Sequence, residues 1–187
     1  MTDPKQLYDA LRTEYGEGIL AVEGDGDDSW FRVRPEATHY VLERLRSTGY
    51  NLLVDLTAVD LSSFPGPKAP GDHFELTYRL LSLDLDSGLS RGRIAVKTRL
   101  EEAQPAPRSI MDLWPVADWL EREVWDMFGV PFSGRPGLKR ILMYDEFKGH
   151  PLLKDYPNKQ RQPLIGPSDA KPRERMTAAD LRPRLVE

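Results

Sequence analysis

Cysteine is absent from the 187 residues, and that absence removes several chemistries at once. The chain cannot supply a cysteine nucleophile, cysteine ligands to an iron–sulfur cluster, or a cysteine-containing zinc site. Histidine is scarce. His39, His73 and His150 are the only three, far apart and without the spacing of a metal-binding motif. The glycine patterns GxGxxG and GxxxxGK[ST] and the GxSxG elbow are missing too. No uncharged apolar run approaches the ~18 residues of a membrane span. The N-terminal MTDPKQLYDALRTEY lacks the apolar centre of a signal peptide. A chain in a reducing compartment is the expectation, reaching a membrane only through a partner.

What is present is polarised. Lys+Arg number 26 and Asp+Glu 30, for a net charge of −4. Residues 1–128 carry 14 basic and 23 acidic side chains, whereas residues 129–187 carry 12 and 7. Eight of the 16 prolines lie in that second stretch. The division reads as an acidic body, residues 1–129, and an extended basic, proline-rich tail, residues 130–187. The length suits one domain plus a tail.

Within the body, Asp3 and Pro4 suit the N-cap and first position of a helix whose Leu7, Leu11 and Tyr15 form an apolar stripe. Residues 19–22 and 30–33 read as a strand pair across a Gly/Asp turn. Pro35 opens a second helix, with Ala37, Val41 and Leu45 on one face. Three longer strands follow. Leu52, Val54, Leu56 and Ala58 alternate in the first, Phe74, Leu76, Tyr78 and Leu80 in the second, and Ile94, Val96 and Thr98 in the third. The proline-rich loop at 62–72 is expected to be exposed. The order α-β-β-α-β-β-β-α defines an α+β domain, with helices on one side of a mostly antiparallel sheet.

A third helix is expected over residues 115–128, opened by Pro115 and stopped by Gly129. At 100° per residue, Trp119, Leu120, Val124 and Met127 share an arc with Glu123 at its centre. A carboxylate there must be paired or hydrogen-bonded, which makes Glu123 a structural carboxylate. Glu121 points elsewhere, so the two do not form an acid/base pair. Trp125 falls on the polar face beside Asp118 and Arg122, where it can meet a partner or pack under its own tail. Beyond the helix, seven Lys+Arg against three Asp+Glu in residues 135–161 favour an acidic or phosphate-bearing surface. Nucleic-acid motifs are lacking. His150, between Gly149 and Pro151, reads as a loop anchor. Partial disorder is expected after about Pro163.

Two segments carry a resemblance. Glu121-Arg122-Glu123-Val124-Trp125-Asp126-Met127-Phe128-Gly129 and Gly149-His150-Pro151-Leu152-Leu153-Lys154-Asp155-Tyr156-Pro157 resemble the signature of one family. It is the 30 kDa, or C-type, subunit of proton-pumping NADH-quinone oxidoreductase, respiratory Complex I. Asp112-Leu113-Trp114-Pro115 fits as well. The chain departs from that pattern at Arg135, where the family usually has His, at Gly137, where it has an acid, and at Leu153, where it commonly has Arg. Arg135 keeps a donor but exchanges a titratable group for a permanent charge.

The resemblance implies a non-catalytic subunit of a translocase that passes electrons from NADH through FMN and iron–sulfur clusters to quinone. It implies no cofactor in this chain, the FMN and clusters being held by partner subunits. It implies docking beside the D-type subunit of the quinone cavity and the B-type subunit of the terminal cluster, at the cytoplasmic face of the inner membrane. The candidate docking or anchoring residues are Arg122, Trp125, Arg135, Lys139, Arg140, His150, Lys154, Asp155 and Tyr156. An alternative is the equivalent subunit of a complex fed by ferredoxin or a reduced deazaflavin, or of a membrane-bound hydrogenase. A free-standing enzyme using Glu121, Glu123 or His150, and a basic-tailed binding module, are the readings from other classes.

Overall fold

The computed structural model describes residues 4–66, 71–101, 106–157, 159 and 162. The proposed cap at Asp3, the centre of the 62–72 loop and nearly all residues beyond 157 lie outside that set.

Helix α1 spans Pro4–Tyr15 and buries Leu7 and Leu11, as its stripe requires. Strands β1 (Ile19–Glu23) and β2 (Trp30–Val33) form an antiparallel pair whose register shifts between Ile19 and Ala21. Helix α2, Pro35–Ser47, starts at its proline, where the missing N–H costs nothing. Then come β3 (Leu52–Asp60), β4 (Asp72–Leu83), β5 (Ser90–Glu101) and α3 (Ala117–Phe128). The sheet order is β1-β2-β5-β4-β3. Only the central β2/β5 pair is parallel; the other pairs are antiparallel.

One sheet face carries the core. Phe31, Val33, Leu76, Tyr78, Leu80, Ile94 and Val96 are buried against Leu7 and Leu11 of α1, Val41, Leu42 and Leu45 of α2, and Ala117 and Val124 of α3. Strand β5 keeps the expected alternation, and β4 keeps it apart from Thr77, which is also buried. Strand β3 does not. A bulge between Leu53 and Asp55 turns Leu53 inward and leaves Leu52 and Val54 outside, so the alternation holds only from Leu56 onward. A one-residue insertion flips every side chain on one side of it.

The expected division after Gly129 is displaced. The compact unit runs through to Tyr156, because residues 130–156, here called the strap, are hydrogen-bonded onto α3 and the end of β3.

Candidate functional site: the third helix and its strap

Helix α3 is set on the sheet by the segment before it. Ile110, Leu113 and Trp114 are buried, and Trp114 Nε1 donates to the Asn51 carbonyl at 3.1 Å. The helix begins two residues later than expected and ends at Gly129, whose φ of 77° is the left-handed cap.

The buried arc of α3 differs from the expected one. Ala117, Glu121, Val124 and Met127 are buried, with Leu120 and Phe128 packed against the core. Glu123 is exposed and Trp119 is 57 % exposed. The carboxylate inside the apolar face is therefore Glu121, not Glu123. Trp119, apolar but at the outer edge, draws the expected arc toward itself.

Glu121 is fully buried and each of its oxygens accepts from this chain. Oε1 accepts from the Ile110 amide at 2.8 Å, and both oxygens lie within 3.1 Å of the Ser109 hydroxyl. Oε2 accepts from Arg135 at 2.9 Å. The Arg135 side chain is itself buried and also donates to the Asp118 carbonyl at 3.0 Å and to the Asp118 carboxylate. A buried carboxylate is tolerated when paired and hydrogen-bonded in this way.

Asp126, also fully buried, repeats the device. Oδ1 accepts from Arg140 at 2.6 Å. Oδ2 accepts from three successive backbone amides, Ile141 at 3.0 Å and Leu142 and Met143 at 2.9 Å. Successive N–H groups form a concave anion site, here filled by the protein's own carboxylate. Burial would raise the Asp126 pKa, but the Met143 amide, Arg140 and the other two amides outweigh it and hold it below the usual carboxylate value.

The two rungs have the same span. Glu121 meets Arg135 and Asp126 meets Arg140, each fourteen residues on. Two acids five apart on a helix are thus matched to two arginines five apart on the strap, running in the same direction. Arg122 fastens the strap between them, donating to the carbonyls of Lys139 at 3.1 Å and Arg140 at 2.9 Å. Arg140 also reaches the carbonyls of Phe147 and Gly149 and lies over the rings of Trp125 and Phe147.

The second signature segment closes the turn. His150 Nδ1 donates to the Asp126 carbonyl at 3.0 Å, and its ring meets Trp125 edge-on. The Leu152 amide donates to the Met127 carbonyl at 3.0 Å. The Lys154 amide donates to Asp60 at 2.8 Å, a buried carboxylate that also accepts from Ser62. Tyr156 stacks on Phe147.

The candidate residues fall into two groups. Arg122, Trp125, Arg135, Arg140, His150 and Tyr156 face the chain's own helix or strap. Lys139 and Lys154 use their backbone groups for anchoring and leave their side chains exposed, and Asp155 is exposed. Met127 is buried and Phe128 half-buried. The basic residues read as attracting an acidic surface are therefore matched, at Arg135 and Arg140, by acids of α3. Sequence reasoning missed Ser109, Asp118, Asp60 and Phe147. The equal fourteen-residue spacing was the available signal for the two rungs. Chemically the arrangement is a fastening, since all four oxygens of the two buried helix carboxylates already hold donors.

The chain has relatives among known proteins. A trypsin-resistant fragment of Nqo5 superimposes with a TM-score of 0.60 at 30% identity, over 71% of this chain and 99% of the fragment. The C-type NADH-quinone oxidoreductase subunit of Citrifermentans bemidjiense is 43% identical over 170 residues, 89% of this chain and 98% of that protein. Subunit 5 of the Thermus thermophilus enzyme is 36% identical over 126 residues, and there the match spans 58% of the relative's length. The fused C/D subunit of Methylococcus capsulatus is 36% identical over 146 residues, 24% of that longer protein. Residues 31–162 match the model of the respiratory-chain NADH dehydrogenase 30 kDa subunit. The chain belongs to that family, as its signature segments implied. Among the described residues no helix is long and apolar enough to cross a membrane.

Proposed function

We propose that this chain is the non-catalytic 30 kDa subunit in the peripheral arm of a proton-translocating NADH:quinone oxidoreductase. Its task is to support assembly beside the D-type subunit of the quinone cavity and near the B-type subunit of the terminal cluster, on the cytoplasmic face of the inner membrane. NADH oxidation at FMN, electron passage through iron–sulfur clusters and quinone reduction belong to the partner subunits.

The observation that carries this reading is the use made of the signature residues. Glu121, Arg122, Asp126, Gly129 and His150 hold one segment of the chain against another, so the family's hallmark is a shaped surface. The fusion of C and D sequences in one relative's name supports the D-type subunit as the neighbour.

The test is a mild-detergent purification of the tagged full chain from its native membranes, with mass spectrometry of the recovered subunits. Stoichiometric recovery of the D-type and B-type subunits with NADH-oxidising activity is expected. A chain recovered without them would overturn the reading, and recovery with a hydrogenase or a ferredoxin-linked complex would replace the electron donor.

A further inference from the structure

The inward side of the strap is held to α3 by the two ion pairs, whereas large apolar side chains of the strap and of α3 stand in the open. Val116, at the N-terminal boundary of α3, is 43 % exposed, Trp119 and Leu142 are each 57 %, and Leu152 is 50 %.

Helix spacing and hydrogen bonds tie all four residues to α3. Val116 and Trp119 are three apart at the start of the helix, hence neighbours on its face. The Arg122 guanidinium lies 5.2 Å from the Trp119 ring centre while bonding the carbonyls of Lys139 and Arg140, so the strap passes beside the tryptophan. Leu142 is held about two helical turns further on by the Asp126 carboxylate, and Leu152 by the Met127 carbonyl. A tryptophan with a cation on its face, set among exposed leucines, is the composition of an interface centre.

We infer that this outward face of α3 and the strap, centred on Trp119 and Leu142, is a preformed docking surface for the D-type subunit. The inference rests on the functional reading above and adds the location. Two observations choose the occupant. In the C/D relatives the D-type sequence is joined to this one in a single polypeptide. The strap is also the last part of the compact unit, ending at Tyr156, and the family match ends six residues later, at 162. The strap is thus the part of the compact unit nearest in sequence to the end of the family match. Because Arg135 and Arg140 are neutralised within the chain, the recognition chemistry is an apolar socket for Trp119 and Leu142. Carbonyl or carboxylate acceptors at its rim would face Arg122 and Lys139. The strap's backbone is already fixed, so docking does not require it to fold.

The experiment measures affinity between the full-length chain and its cognate D-type subunit, purified together and titrated by interferometry. Trp119→Ala and Leu142→Lys are compared with Leu20→Ala on β1 and Tyr40→Ala on α2, two exposed apolar positions elsewhere. Each surface variant is expected to weaken binding by about thirtyfold, the scale of an interface hot spot, with unchanged melting temperature and unchanged amide protection at Leu142 or Met143. The β1 and α2 variants are expected to bind like wild type. If wild type binds and the Trp119 and Leu142 variants bind equally well, the proposed surface is wrong while the functional reading stands. Equal losses in all four variants would also overturn it. If the wild-type chain does not bind the D-type subunit, the functional reading itself fails and this inference with it.

Discussion

Gly129 and His150 occupy mutually exclusive space: a Cβ added at position 129 would stand 2.7 Å from His150 Cδ2. The glycine also holds the left-handed conformation that ends α3. The two signature segments are thereby fitted to each other, since His150 can bond the Asp126 carbonyl only where residue 129 has no side chain. Gly129→Ala is expected to cost about 2–4 kcal/mol, combining left-handed strain with loss of the histidine's bond. Denaturant unfolding reads the cost, and the His150 ring resonances report its displacement. A change under about 0.5 kcal/mol, the size of an ordinary surface substitution, would show that the ring is not held there.

Asp126 makes the strap acid-sensitive. Its folded-state pKa lies below the usual value, so its stabilisation is complete above an unfolded pKa of about 3.9 and is lost as pH falls through the lower folded value. Asp60 is also depressed: burial raises it, but its bonds from Ser62 and Lys154 outweigh that, so it acts in the same direction. Between about pH 5 and 2, amide protection at Ile141, Leu142 and Met143 is expected to fall before that of β4 and β5. In Asp126→Asn this strap-specific drop should flatten. A drop of wild-type size in the variant would assign the effect to other groups.

Glu121 and Glu123 separate cleanly. Glu121→Gln places an amide against Arg135 and Ser109 and is expected to cost about 2–4 kcal/mol. Glu123→Gln, on the exposed side, is expected to stay within about 0.5 kcal/mol. Paired thermal melts distinguish them, and the reverse order would restore the arc that periodicity alone suggests.

The strap is part of the body's stability. Ending the chain after Gly129 removes Arg135 and Arg140, leaves Glu121 without its cation, and strips Asp126 of all its donors. Removing one partner of a buried ion pair, as at Glu121, costs about 3–5 kcal/mol. That truncation is expected to melt far below one ending after Pro157. Equal melting temperatures would mean the helix does not depend on its strap.

These residues also show what the sequence could convey. Period-2 alternation made β4 and β5 legible, because both have one face in the core and no insertion over the stretch from Leu76 to Leu80. Leu7 and Leu11 made α1 legible for the same reason. Strand β3 was only half legible, since a bulge is a single unpaired residue and leaves no mark on composition. On α3, the pattern counted Trp119 as apolar and therefore inward, and so moved the arc off Glu121. The strap's charge was visible but its counterpart was not. Arg135 and Arg140 are neutralised by acids fourteen residues away, and a count of basic residues cannot tell an internal partner from an external one. The signature motifs contain Glu121, Asp126 and His150, the residues that fasten the strap to α3. Which of their residues face inward became readable only with the hydrogen bonds of Glu121 and Asp126.

The bulges in the two outer strands have a consequence of their own. Strands β1 and β3 are the edges of the sheet, and each carries its register shift, at Ile19/Ala21 and Leu53/Asp55. A straight edge invites another chain to add a strand, and an irregular one does not. With both sheet margins kinked, edge-to-edge pairing between copies of the chain is disfavoured.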